Sequence, residues 1–205
     1  MVRSSLSSKK GTSLIELLAY ISLYGVVMSL LATLVFVLTK TARSVNRQSI
    51  LNRGTKILYT EFMGQAINFN ADYVVVNETI NDTVSVTLEK RYRYDNEGER
   101  IKIVAGDTVY ANKPVKLTYS YKKGDNKMGI KYEYLDGRTI PDATVDLDNG
   151  VTISSSTEND TDISNIFTVV TKSSYSKSLI FNGKLTFDKK SVEFNFVIPV
   201  YVINE

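Results

Sequence analysis

The sequence predicts an α+β fold, in which a long N-terminal helix, transmembrane and then amphipathic, packs on a C-terminal antiparallel β-sheet domain. Three observations predict it. An uncharged apolar run extends from Leu17 to Thr39. Behind it, apolar residues recur at helical spacings. From Tyr73 onward the apolar period falls to two.

The apolar run is about 23 residues long and, at 1.5 Å per residue, spans roughly 34 Å as a helix, enough to cross a hydrocarbon core. A soluble core helix of that length carries a charged edge, and this one has none. The helical pattern then continues. Leu51, Leu58, Phe62 and Phe69 form one apolar stripe flanked by Ile50 and Ile57, and Gly54 and Gly64 weaken the helix locally. Asn and Asp replace the periodic apolar residues at 68–72, which predicts the helix end there.

In the remainder, Val84, Val86 and Leu88 alternate with polar residues, and Tyr92 and Tyr94 keep their parity. Val115, Leu117, Tyr119 and Tyr121 alternate after Pro114, and a Gly124-Asp125-Asn126 turn leads to Ile130, Tyr132 and Tyr134. A last hairpin turns at Asp188-Lys189-Lys190, between Leu185 and Phe187 on one arm and Val192, Phe194, Phe196, Ile198, Val200 and Val202 on the other. These are hairpins with one buried face. Pro199 lies on the opposite parity and predicts an edge strand. Residues 136–164 are rich in Asp, Asn, Ser and Thr and read as a long surface excursion.

Charge is divided unevenly. Residues 1–61 hold eight of the 25 basic residues and two of the 22 acidic ones, Glu16 and Glu61, which leaves 17 basic and 20 acidic residues beyond. A basic, apolar first part beside a mildly acidic second part points to a membrane or a polyanion near the first. The chain has no Cys, His or Trp, so no disulfide staples it. Thiol nucleophiles, the commonest general base and zinc sites built on N or S ligands are excluded. The segment Asp146-Leu147-Asp148-Asn149-Gly150 faintly resembles a calcium loop, but position twelve is Thr157, with Glu158 one later. It reads as a solvated turn. Gly183-Lys184 lacks the upstream glycine of a phosphate loop, and no Gly-x-Ser-x-Gly elbow occurs. No catalytic residue, metal or cofactor is expected, and the chain reads as a non-enzyme.

The stretch Lys9-Lys10-Gly11-Thr12-Ser13-Leu14-Ile15-Glu16 orders its parts unlike a secretory signal. Its small residue, Gly11, precedes the apolar run, so cleavage there removes the basic leader and leaves the anchor. This order resembles the leader of type IV prepilins and pseudopilins. The resemblance implies a leader of residues 1–11, cut by the prepilin peptidase between Gly11 and Thr12, with N-methylation of Thr12. It matches Lys9 and Lys10 to the basic leader and Glu16 to the family's assembly glutamate. It further implies a filament-core helix at 12–39, an amphipathic continuation at 40–70 and a globular pilin domain at 71–205. The run Arg91 to Tyr94 through Arg100 to Ile103 also resembles the start of the sheet in J-type minor pseudopilins and W-type minor pilins. Thr12 stands where the family usually has Phe, and the apolar run has no Pro.

A carboxylate in a membrane helix costs about 2.5–3.5 kcal/mol near the bilayer centre and less at the interface. The amine freed at Thr12 is one partner for Glu16; a favourable position at the helix N-terminus is the alternative. The expectation is a minor pilin subunit at the cytoplasmic membrane and in an extracellular pilus. Its partners are other pilin subunits, the prepilin peptidase, the assembly platform and the bilayer; nucleic acid has no supporting feature. A competence or type II secretion pseudopilin and a single-pass anchored adhesin are the alternatives. Arg3, Lys9 and Lys10 precede the span while Lys40, Arg43, Arg47, Arg53 and Lys56 follow it, so the positive-inside rule alone favours the reverse orientation. The second cluster is expected to meet anionic lipid, wall polymer or acids of neighbouring subunits, or to be a solvated face.

Overall fold

The computed structural model describes residues 13–155, 162–173 and 176–201. It divides into two compact units, Met1–Asn46 and Arg47–Glu205. Helix α1 (Leu14–Leu58) runs through a π turn (Tyr59–Met63) into α2 (Gly64–Phe69). The run stops where Asn70 takes a left-handed conformation, φ 48°, and donates its N–H to the Ala66 carbonyl. Asn tolerates that geometry better than most residues, which is why the helix ends where the sequence predicts.

In the first unit the helix is apolar on every side, and its large side chains, from Leu14 to Leu38, are exposed. The Thr33 and Thr39 hydroxyls donate back to the Ser29 and Val35 carbonyls at 2.9 and 2.8 Å, so neither needs water.

In the second unit the helix has a buried stripe. Leu51, Leu58 and Phe62 are fully buried, Ala66 nearly so, and Ile50, Ile57 and Phe69 pack around them. Four residues overshoot one α-helical turn by roughly 40°, so a stripe built on spacings of four drifts around the cylinder. The wider π turn at Tyr59–Met63 takes up that drift and keeps Leu58, Phe62 and Ala66 on the core side. Inside it, the Tyr119 hydroxyl donates to the Phe62 carbonyl at 3.0 Å. Burial pushes that phenol well above its ordinary pKa, so it remains a donor. Gly54 lets the helix approach the sheets closely: a Cβ there would stand 3.3 Å from Leu185 Cδ1.

Three antiparallel sheets follow among the described residues. The first has the order β1-β2-β5-β6-β7, comprising β1 (Tyr73–Ile80), β2 (Thr83–Glu89), β5 (Pro114–Lys122), β6 (Lys127–Tyr134) and β7 (Thr139–Asp146). A two-stranded ribbon, β3 (Tyr92–Tyr94) with β4 (Arg100–Lys102), is inserted between β2 and β5. In the second sheet, β10 (Ser176–Phe187) pairs with β11 (Lys190–Val200) along one edge; along the other it pairs with β9 (Phe167–Ser173) and then β8 (Val151–Ser154). β11 is an edge strand, as Pro199 predicts.

Two expectations are corrected. The described part of residues 136–164 is no surface excursion: it contains β7 and β8, and Val145, Leu147, Val151, Ile153 and Ile163 are buried; residues 156–161 lie outside the described residues. Around Val145, Leu147, Val151 and Ile153 the neighbouring polar residues hold the outward positions of an alternating pattern, which ends at buried Ser154 and Ser155. Tyr92 and Tyr94 share parity but not burial, because the three-residue ribbon is too short to cover Tyr94.

Phe62 is the point where the helix meets both sheets. Its ring lies 4.5 Å from Tyr119 on β5 and 4.6 Å from Phe181 on β10. The Tyr121 hydroxyl accepts the Ile153 N–H and donates to the Asp125 carbonyl, both at 2.9 Å, and so ties β5 to β8. Phe62→Ala is expected to destabilise the second unit by about 3–5 kcal/mol, read by urea denaturation followed through tyrosine fluorescence. Gly183→Ala would set a Cβ 2.6 Å from the Ser154 carbonyl oxygen. It is expected to cost about 1–3 kcal/mol and to raise hydrogen exchange along β8 before the rest of the sheet.

Candidate functional site

The helix start carries the polar chemistry of the N-terminal segment. Ser13 precedes the first helical residue, and its Oγ accepts the Glu16 N–H at 3.3 Å. The Glu16 Oε2 accepts the Ser13 N–H at 3.1 Å. This reciprocal pair is a capping box, which satisfies two amides that the helix leaves without partners and sets a negative charge at the positive end of the helix dipole. The Ser-x-x-Glu spacing was there to be read in the sequence. The Glu16 carboxylate therefore has a partner in its own backbone. Lys9, Lys10, Gly11 and Thr12 lie outside the described residues, as does the rest of the leader segment 1–11.

Behind the box stands one helix long and apolar enough to cross a membrane. Leu14, Ile15 and Phe36 expose 74%, 78% and 69% of their surface, and nothing among the described residues covers the stretch. Such a surface is stable only in lipid or against apolar partners.

The basic cluster after the run divides. Arg47 pairs with Asp188 in the β10–β11 turn, and Arg53 pairs with Asp148, its Nε lying 3.1 Å from Asp148 Oδ2. Two of the five cations thus meet acids of their own domain, which corrects the expectation that the cluster faces outside partners as a whole. Lys40, Arg43 and Lys56 make no ion pair among the described residues. The same contacts account for the Asp-rich turn: Asp148 serves Arg53, and Lys127 lies 3.4 Å from Asp146. No group of three or more metal-ligating side chains occurs among the described residues, and Thr157 and Glu158 lie outside them.

A second polar constellation, which sequence reasoning missed, surrounds the start of the ribbon. Buried Asp72 accepts the N–H groups of Arg91 and Tyr92 at 2.8 and 2.9 Å. The Arg91 guanidinium lies 3.4 Å above the Tyr73 ring and pairs with Glu89 at 2.7 Å. Arg93 donates to Asp107 at 2.6 Å and holds that carboxyl below its ordinary range. The anchoring acids stand far from the residues they hold, Asp72 nearly twenty positions before Arg91, so no local motif marks them.

No protein-family model, curated protein or solved structure matches the chain. The class is set by the molecule alone: an α+β protein with a long apolar N-terminal helix and an antiparallel β domain.

Ser13→Ala is expected to weaken the first helical turn by about 1 kcal/mol, seen as faster amide exchange at 14–17. Glu16→Gln, which still accepts the Ser13 N–H but loses the charge at the helix start, is expected to speed exchange less than Ser13→Ala. Asp107 has a lowered pKa, so its stabilising effect is complete above about pH 3.9, the unfolded value. It is lost as pH falls through the folded value. A pH series of melting curves is expected to show that acid loss in the parent and less of it in Arg93→Gln.

Proposed function

We propose that the chain is a type IV pilin-like minor subunit, stored in the cytoplasmic membrane and drawn into an extracellular filament. The observation that carries this reading is the join at residues 11–17. A glycine stands directly before an apolar helix whose only acid, Glu16, sits in the first turn, and nothing among the described residues covers its apolar run. A cut between Gly11 and Thr12 leaves the helix on the mature chain and a free amine four residues before Glu16. In a filament, neighbouring helices supply the dry surface that lipid supplies before assembly. The carboxylate, set at the head of each helix, fixes the axial stagger by meeting a neighbour's amine. The β domain then lies outside the membrane and decorates or caps the filament. The chain acts by assembly and performs no catalysis. A competence or secretion pseudopilin is the same design in another filament system.

One observation favours a second reading. The capping box gives Glu16 a local task that needs no filament, as in a single-pass anchored surface protein. Intact-mass analysis of the protein from its native membrane separates the two. The pilin reading expects loss of residues 1–11 and gain of one methyl group; an unprocessed chain overturns it. Glu16→Gln then separates charge from capping. A filament subunit is expected to be processed and exported but to lose incorporation into the polymer, whereas normal incorporation would sink the proposed role of the carboxylate.

A further inference from the structure

The chain contains two Asn-Gly steps, Asn149-Gly150 and Asn182-Gly183, and one Asp-Gly step, Asp136-Gly137. At each, the glycine nitrogen can attack the side-chain carbonyl carbon of the residue before it. Glycine permits that approach because it has no Cβ in the way. The fold sets the three steps apart.

Asn182 lies in the middle of β10. It faces Asn195 on β11, its N–H donates to the Ile166 carbonyl at 3.0 Å, and its side-chain amide donates to the Asn165 and Ile166 carbonyls at 2.8 and 3.3 Å. Gly183 is buried, and a Cβ there would stand 2.6 Å from the Ser154 carbonyl oxygen, so the backbone has no room to swing into attack. Asp136 lies in an exposed turn, but its carboxylate accepts the Arg138 N–H at 3.0 Å and pairs with the Arg138 guanidinium. These contacts hold the carboxyl below its ordinary range, and the ionised form resists a nucleophile. The Gly137 N–H is also spent, on the Tyr134 carbonyl at 3.1 Å.

Asn149 is placed differently. It is exposed in the turn between β7 and β8, where Gly150 has φ 83° and the Val151 N–H donates to the Asp148 carbonyl at 3.0 Å. A donor is aimed at its side-chain carbonyl: Asn126 Nδ2 lies 3.3 Å from Asn149 Oδ1 and is anchored by the Leu147 carbonyl at 3.1 Å. Such a donor stabilises the oxyanion that forms when a nucleophile adds to that carbonyl.

We propose that Asn149 is a site of spontaneous deamidation in the folded chain, with Asn126 as the positioning residue, while Asn182 and Asp136 are held back. The Gly150 nitrogen bonds to Asn149 Cγ and gives up its proton. The bond from Cγ to Nδ2 breaks, and Nδ2 leaves with the electron pair and a proton as ammonia. Water then opens the succinimide at either carbonyl, giving aspartate or isoaspartate. Either product sets a new carboxylate beside Asp148, the partner of Arg53. In isoaspartate the main chain runs through the former side chain and is one methylene longer, so the Val151 bond to Asp148 loses its geometry. Age thus loosens the turn that ties Arg53 to the sheets. The proposal does not depend on filament assembly.

The test incubates the full chain in detergent micelles at mildly alkaline pH. Peptide mass mapping follows the amide-to-acid mass gain at each Asn, and enzymatic methylation scores isoaspartate. Asn149 is expected to convert at least about tenfold faster than Asn182, a barrier difference of about 1.4 kcal/mol. In urea the two Asn-Gly steps are expected to convert at similar rates, because the fold makes the difference. Asn126→Ala is expected to slow the folded rate at Asn149. Asn149→Gln, at an exposed position, is expected to abolish the gain there and to prevent the rise in hydrogen exchange at Val151 seen in the aged parent. No gain at Asn149, equal rates at the two steps in the folded chain, or a gap that persists in urea would each overturn the proposal. An unchanged or faster rate in Asn126→Ala would overturn the part given to Asn126.

Discussion

Everything in this molecule answers to one constraint: the apolar surface of its long helix must be kept from water. The helix meets that demand in two ways. From Arg47 onward its stripe is dried by the chain's own sheets, with Phe62 wedged between Tyr119 and Phe181. Over Leu17 to Thr39 no stripe exists because every side is apolar, and the described residues supply no cover. The first stretch is therefore a fold problem solved internally. The second is solved only by something else, whether lipid or other helices.

The polar groups follow the same logic. An unpaired buried donor or acceptor costs about 1–3 kcal/mol, and the larger buried polar groups carry their own partners, whereas the Ser154 and Thr186 hydroxyls are buried without one. Tyr119 answers the Phe62 carbonyl, Tyr121 answers the Ile153 amide, and Asp72 answers two amides at the start of the ribbon. These bonds do more than compensate burial. Tyr121 holds two sheets together, and Asp72 sets the direction in which the basic ribbon leaves the sheet.

Much of this was legible in the sequence because periodicity reports directly on faces. The apolar run, the Leu51–Leu58–Phe62 stripe, the helix end near Asn70 and the alternation in β2, β5, β6 and β11 all follow from spacing alone. The stretch 136–164 was misread because its composition is that of a loop while its period is that of strands; Val145 with Leu147 and Val151 with Ile153 carry the signal. The π turn was invisible because four-residue spacings fit an α-helix well enough over one turn. The Ser13–Glu16 box was readable from its spacing, yet the carboxylate drew attention to an amine instead. Contacts across great sequence distance, such as Arg53 with Asp148, leave no local trace at all.

The pairs Arg47–Asp188 and Arg53–Asp148 join the helix to acids more than ninety residues later in the chain. During synthesis those acids do not yet exist when the arginines emerge, so Arg47 and Arg53 carry their charge without these partners until the β domain folds. Once the β10–β11 turn reaches Arg47 and the β7–β8 turn reaches Arg53, two of the five cations are neutralised in place. Folding of the β domain thus lowers the uncompensated charge behind the apolar run from five cations to three.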